Sequence, residues 1–163
     1  MTSSSVSSRV TLPPFQQLLD AHGRDVHRFL VATVGSGAAD DCYQETWLAA
    51  LRAYPRLRNA SNLRSWIMTV AHHKAIDHLR ARGRAAIPVD EVSAGTAGPA
   101  ELRDPEIWAL VRDLPNKQRM AIALRYLADA AYSEISEVMG TSEEAARRNV
   151  HEGLKRLRTE YVR

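Results

Sequence analysis

The sequence has one cysteine and no long apolar run, and these absences exclude several classes of protein. Cys42 is the only cysteine among 163 residues, which excludes an internal disulfide and a zinc site built from several cysteines. No stretch approaches the roughly 20 apolar residues that a membrane helix needs. The Ser-rich N-terminus lacks the apolar core of a signal peptide. We therefore expect a cytoplasmic protein that does not enter the membrane.

Features of an enzyme are also scarce. The sequence contains no Gly-rich phosphate loop and no nucleophile elbow. His73 and Asp77 lie four residues apart and could share a metal ion with His72 or Glu45, but such a spacing more often reflects a local pair on a helix. We predict a protein that is not an enzyme, with no catalytic residue, no metal and no cofactor.

The positive charge is concentrated in one segment. The net charge of the chain is only +3, but residues 61–84 hold five basic residues against one acid, Asp77. A solvated helix end and a surface that faces phosphates would both produce this pattern. Charge alone does not separate the two interpretations.

Apolar spacing predicts an all-α protein, because no segment alternates with a period of two. We expect two small helical domains joined by a flexible linker, the second domain containing a helix-turn-helix. The predicted boundaries are a disordered tail at 1–12, the first domain at 13–84, the linker at 85–103 and the second domain at 104–163.

Periodicity and turn residues also predict the helices and their buried sides. In the first domain, helices should cover residues 15–34, 38–54 and 63–82, the third capped by Asn62. The second helix should bury Tyr43, Trp47, Ala50, Leu51 and Tyr54. In the second domain, Asp104 should cap the first helix, and Thr141 with Glu144 should form a capping box at the last. That last helix should bury Ala146, Val150, Leu154, Leu157 and Tyr161.

The last two predicted helices, 132–139 and 142–161, have the spacing of a helix-turn-helix with Gly140 in the turn. The second helix of this motif enters the major groove. Arg147, Arg148 and His151 lie near its start, where bases are read, whereas Lys155 and Arg158 are better placed for phosphates. A plain surface helix with solvated charges is the alternative, and Glu143, Glu144 and Glu152 weaken the positive potential.

Three further segments precede this motif along the chain: AADDCYQETW at 38–47, LRSWIMTVAHHKAIDHLR at 63–80 and LPNKQRMAIALRY at 114–126. Together with the helix-turn-helix, they resemble the bacterial RNA polymerase sigma factors of the extracytoplasmic-function (ECF) group. The resemblance covers residues 15–84 and 104–160. It implies a non-catalytic sigma factor that binds core RNA polymerase and directs promoter-specific transcription initiation. It also allows for an anti-sigma factor as a partner.

The resemblance assigns roles to the two domains and to their residues. Residues 13–84 would be sigma domain 2, which binds core polymerase and reads the melted strand of the minus-ten element. Residues 104–163 would be sigma domain 4, which reads the minus-thirty-five element as duplex DNA. The implied polymerase contacts are Asp41, Gln44, Glu45 and Leu48. The implied minus-ten contacts are Arg58, Asn59, Ser61, Asn62, Arg64, His73, Lys74 and Arg80. The implied minus-thirty-five contacts are Arg147, Arg148, His151, Lys155 and Arg158.

The sequence departs from the family pattern at positions that face bases. His73 stands where the family often has Asn, and Glu152 stands where a basic residue is common, so base preferences do not carry over. The alternative function is a stand-alone helix-turn-helix regulator, usually a dimer on a palindrome. The polymerase-binding helix and the melted-strand segment argue against it.

Overall fold

The computed structural model describes residues 11–84 and 102–161, and every regular element in those two ranges is helical. The all-α prediction is therefore confirmed. The elements in chain order are α1 Phe15–Val34, α2 Ser36–Ala53, a 3-10 turn Tyr54–Arg56, α3 Leu63–Arg84, α4 Pro105–Arg112, α5 Asn116–Leu127, α6 Tyr132–Met139 and α7 Glu143–Tyr161.

Two of the predicted segments lie largely outside the described residues. They are residues 1–10 of the tail and residues 85–101 of the linker. The side chain of Arg84 is also outside the described part. Leu12, at the end of the predicted tail, packs against the hydrophobic core.

The first unit, residues 11–84, is a bundle of α1, α2 and α3. Gly35 has a φ of 87°, a left-handed conformation that glycine adopts without a steric penalty, and it turns the chain directly from α1 into α2. As a result, α2 begins two residues earlier than predicted. The bundle buries Phe29, Leu30 and Ile67 completely, and these side chains belong to one hydrophobic cluster.

The second unit, residues 102–161, packs α4, α5 and α6 around α7. Ile122 on α5 and Val150 on α7 are buried between these helices. Gly153 lets α5 and α7 approach closely, since a Cβ atom there would lie 2.4 Å from Cδ1 of Ile122. Gly140, with a φ of 65°, ends α6 and opens the turn that leads into α7.

The two units pack against each other. Helix α1 contacts α4 and α5, and α3 contacts α6. Buried residues of both units, among them Phe29 and Met120, belong to one hydrophobic cluster. Arg64 on α3 and Glu134 on α6 add an ion pair across the boundary, with 3.5 Å between Nε and Oε1. We call this packing the closed arrangement.

The structure corrects several predicted details. Leu51 is 51% exposed and Tyr161 is 64% exposed, although both were expected in buried stripes. Helix α3 continues through Gly83 to Arg84, because glycine in a helix costs only about 1 kcal/mol and does not end it. Ser142 replaces Thr141 as the cap of α7, since its Oγ accepts a hydrogen bond of 3.0 Å from the amide of Ala145. Asp104 precedes α4 in a left-handed conformation and makes no capping hydrogen bond with its side chain.

Candidate polymerase and nucleic-acid surfaces

The outer face of α2 carries all four side chains that were predicted to contact polymerase. The opposite side of the helix buries Cys42, Thr46, Trp47 and Ala50, which fixes the orientation of the helix on α1 and α3. The face left in solvent carries Asp41, Gln44, Glu45 and Leu48, all exposed. Leu48 is 53% exposed, and Leu51, which the sequence assigned to the core, adds a second exposed apolar residue one turn later.

The electrostatics of α2 are set by its carboxylates. Burial, together with the nearby Glu45 and Asp41, raises the pKa of the Cys42 thiol to about 11. The thiol is therefore protonated at neutral pH and is a poor nucleophile. The exposed face of α2 is thus acidic with two apolar residues, a composition suited to a separable protein interface.

The loop before α3 is held by its own asparagines. Oδ1 of Asn59 accepts a hydrogen bond of 2.8 Å from the amide of Ser61, and Oδ1 of Asn62 accepts one of 3.1 Å from the amide of Ser65. The second bond confirms Asn62 as the cap of α3. Both side-chain NH₂ groups remain on the exposed loop as donors, next to the exposed Arg58.

Helix α3 does not bring its predicted minus-ten residues onto one surface. Arg64 is turned towards the second unit by its ion pair with Glu134. His73 and Arg80 line a cleft between the two units. Lys74 lies close enough to Cys42 of α2 for its charge to offset a small part of the rise in the pKa of that thiol. In the closed arrangement, the predicted minus-ten residues of α3 therefore face different neighbours and do not form one continuous surface.

Helices α6 and α7 form the predicted helix-turn-helix. The five basic residues that were predicted to face DNA, Arg147, Arg148, His151, Lys155 and Arg158, are all exposed on α7. The guanidinium of Arg147 lies 5.0 Å from the ring centroid of Tyr132, and its Nη2 is 3.7 Å from Oε1 of Glu143. Arg148 has no such partner among the residues described and points into the cleft between the units.

That cleft is the main feature that sequence reasoning missed. It has a volume of about 1000 Å³ and lies between α3, α5 and α7. It brings His73 and Arg80 of the first unit together with Arg148 of the second. Its polar lining also includes Asp77, Asn116, Lys117 and Asn149. Asn149 follows Arg148 on the recognition helix and could have been found there, whereas Lys117 lies in the segment 114–126, where nothing local indicates that it faces α3.

One histidine of the cleft wall is buried. His72 is 8% exposed, and its Nδ1 has no hydrogen-bond partner in the described part of the chain. Burial, and next the positive charge of His73 and Arg80, lower the pKa of His72 to about 4. Its imidazole is therefore neutral at physiological pH.

Comparison with known proteins identifies the family. The model for Sigma-70 region 2 matches residues 18–85, and the model for Sigma-70 region 4 matches residues 105–157. The ECF RNA polymerase sigma factor SigC of Mycobacterium tuberculosis is 30% identical over 136 residues, which cover 77% of this chain and 71% of the relative. The chain belongs to the ECF sigma factors. It therefore directs RNA polymerase to promoters, as the resemblance implied.

A second relative supports the assignment over a longer stretch. The RNA polymerase sigma factor CarQ of Myxococcus xanthus is 30% identical over 152 residues, covering 88% of this sigma factor and 87% of CarQ.

Solved structures agree in fold. The sigma factor RpoE, in its complex with the anti-sigma factor NepR from Bartonella quintana, superposes with a TM-score of 0.75 at 22% identity. The superposition covers 89% of this chain and 94% of the other. CnrH, in complex with the cytosolic domain of CnrY, gives a TM-score of 0.68 at 18% identity, covering 90% and 86%.

Two further features of the described ranges bear on the other predictions. None of their helices combines the length and the apolar character that crossing a bilayer requires. Within the same ranges, no three His, Cys, Asp or Glu side chains come together in a group that could hold a metal ion. Among the described residues, His73 and Asp77 therefore have no third side chain beside them that could help to bind a metal ion.

Proposed function

We propose that this sigma factor divides its work between two surfaces, with the exposed face of α2 binding core RNA polymerase and the residues around the cleft binding promoter DNA. The observation that carries the proposal is the different position of the two surfaces. Asp41, Gln44, Glu45 and Leu48 lie on the outer face of α2 and are exposed in the closed arrangement. His73, Arg80 and Arg148 lie together in the cleft.

This difference supports an order of events. Polymerase can dock on α2 while the units are closed, because none of the four α2 residues lines the cleft. Promoter DNA would need the units to separate, because the cleft of about 1000 Å³ between α3 and α7 is too small to admit a duplex and α6 packs on α3. Docking on polymerase would then favour the open arrangement by binding it more tightly than the closed one.

The proposed DNA contacts differ in kind. On the first unit, the amide donors of Asn59 and Asn62, with Arg58 and Ser61, would hydrogen-bond bases of the melted minus-ten strand. Arg64, Lys74 and Arg80 would contact its phosphates, and His73 would face a base. On α7, Arg147, Arg148 and His151 would read the minus-thirty-five duplex, and Lys155 and Arg158 would hold its backbone.

The proposed function implies that the protein acts in the cytoplasm. The experiment that tests this function is reconstitution with purified core polymerase. We expect stoichiometric binding of the full chain to core, and discrete run-off transcripts on fragmented genomic DNA of the host. Specific binding of the free protein to a palindromic duplex, with no binding to core, would instead support the stand-alone regulator. An anti-sigma partner stays a prediction, tested by whether a candidate protein blocks core binding in the same assay.

A further inference from the structure

The cleft between the units has an unbalanced charge. Arg80 on α3, Lys117 on α5 and Arg148 on α7 all line it, against one carboxylate, that of Asp77. All three cations are exposed, and none has an ion pair with another described residue. Cations around a shared cleft repel each other, and the one carboxylate of Asp77 does not balance three positive charges, so the closed arrangement leaves a net positive potential in the cleft.

One residue of the cleft wall has a buried polar atom without a partner. His72 lines the cleft and is more than nine-tenths buried, and its Nδ1 has no hydrogen-bond partner within the described ranges. A buried polar atom without a partner is uncommon in folded proteins and points to a missing ligand or water. The amides of Asn116 and Asn149 line the same space.

The size of the cleft selects the kind of ligand. A volume of about 1000 Å³ lies at the upper end of small-molecule sites and exceeds what a single inorganic ion fills. The cations belong to different units, Arg80 to the first and Lys117 with Arg148 to the second. A ligand that neutralises all three must therefore carry several charges along its length, as a chain of phosphates does.

We propose that the cleft binds a small multivalent anion of the oligophosphate class, which bridges Arg80 to Lys117 and Arg148 and holds the two units closed. Binding itself does not depend on the proposed function. Its consequence does rest on that function: because Arg80, His73 and Arg148 are proposed promoter contacts, an anion bound among them would compete with DNA and oppose opening.

Titration calorimetry of the full chain with inorganic tripolyphosphate at low salt tests the proposal. The test variant is Lys117→Gln, because Lys117 is exposed and is not one of the proposed promoter contacts. The matched control is Arg156→Gln, which removes an exposed cation of α7 that does not line the cleft. Circular dichroism verifies that both variants are folded.

We expect one tripolyphosphate per chain for the wild type and for Arg156→Gln, and binding at least about tenfold weaker for Lys117→Gln, the effect of losing one charge-assisted hydrogen bond. Equal affinity for all three proteins, or equal weakening by both substitutions, would show diffuse attraction to a basic protein and would overturn the site. Absence of binding to the wild type would overturn it as well. Either failure leaves the binding of α2 to polymerase unaffected, so this inference and the proposed function can fail separately.

Discussion

Arg119 of the second unit donates a hydrogen bond from Nη1 to the backbone carbonyl oxygen of Thr33 in the first unit, over 2.9 Å. Thr33 is the penultimate residue of α1, so its carbonyl has no partner within the helix and lies at the negative end of the helix dipole. A guanidinium is a suitable partner for such a group. Nη2 of Arg119 also donates to the carbonyl of Leu114 over 3.2 Å, which anchors the side chain in its own unit.

Removing this guanidinium should loosen the closed arrangement. Arg119→Met keeps the apolar part of the side chain and loses a charge-assisted hydrogen bond, a loss of about 1.5–3 kcal/mol. Hydrogen exchange at the last turn of α1 should become at least about tenfold faster if it proceeds through separation of the units. Mass spectrometry of peptides that cover α1 measures the rate.

Arg125→Met is the matched control for Arg119. Arg125 is on the same helix and donates a hydrogen bond of 3.0 Å to the carbonyl of Ala130, entirely within the second unit. Its loss should leave exchange in α1 unchanged. Faster exchange in α1 with both variants, or with neither, would contradict the role of Arg119 in holding the units together.

The cap of α7 should depend on Ser142 and not on Thr141. Ser142→Ala removes the hydrogen bond between Oγ and the amide of Ala145, and we expect a loss of about 1 kcal/mol in the free energy of unfolding. Thr141→Ala should cost clearly less, because no capping bond comes from its side chain within the described structure. Urea denaturation of both variants measures the difference, and a larger loss for Thr141→Ala would restore the capping box that the sequence predicted.

Packing between α5 and α7 should be sensitive to a single methyl group. Gly153→Ala would place Cβ 2.4 Å from Cδ1 of the buried Ile122, and overpacking of this kind costs about 1–3 kcal/mol, reduced by the gain of about 1 kcal/mol for alanine over glycine inside α7. Ile122→Val removes that Cδ1 atom at a cost of about 0.5–1.5 kcal/mol. The double variant should therefore lose less free energy of unfolding than the two single variants lose together. Urea denaturation of the wild type and the three variants, as a double-mutant cycle, measures the difference. Strictly additive losses would show that Ile122 moves aside at no cost.

His72 should make the protein less stable in mild acid. Its pKa falls from 6.5 in the unfolded chain to about 4 on folding, so between these values the unfolded state binds more protons. Stability is therefore lost as the pH drops from 6.5 towards 4. His73 and Arg80 on its own helix, and Lys117 and Arg148 across the cleft, would repel the charged imidazole, whereas Asp77 would attract it.

The effect of His72 can be isolated by comparing variants. From pH 7 to pH 5, the wild type should lose roughly 2 kcal/mol more than His72→Gln does, since one pKa unit corresponds to about 1.4 kcal/mol. His151→Gln, at an exposed position on α7, is the control and should follow the wild type. The same loss of stability in all three proteins would show that other groups dominate the pH dependence.

Local patterns predicted the helices but not all of their orientations. Trp47, Ala50 and Tyr54 are buried, as the helical period requires, and so are Ala146 and Val150. Leu51 follows Ala50 directly and lies about 100° further round the helix. At that angle, the spacing of apolar residues does not tell whether a side chain faces the core or the solvent. Tyr161 lies on the apolar side of α7, but at the end of the helix, where no other helix of the second unit covers its side chain.

The arrangement of the units could not be read from the sequence. Thr33 and Arg119 are far apart along the chain, and although Arg119 lies in the family segment 114–126, no spacing in the sequence predicts their contact. The family segments located the candidate site residues on α2, α3 and α7. The cleft that gathers His73, Arg80 and Arg148 exists because the two units pack together, α3 on α6 and α1 on α4 and α5, and this is a tertiary relationship between two separate segments.

The division between the two surfaces is tested most directly by two substitutions measured side by side. Glu45→Lys reverses a charge on the exposed face of α2, and Arg148→Ala removes a cation from the recognition helix. For each folded variant, the affinity for core polymerase is measured first, and the run-off transcripts made with saturating sigma factor are measured second. We expect Glu45→Lys to weaken polymerase binding and to leave the choice of promoters unchanged. We expect Arg148→Ala to bind polymerase normally and to lose promoter selection. Equal damage to both activities by either substitution would contradict the division of function between α2 and α7.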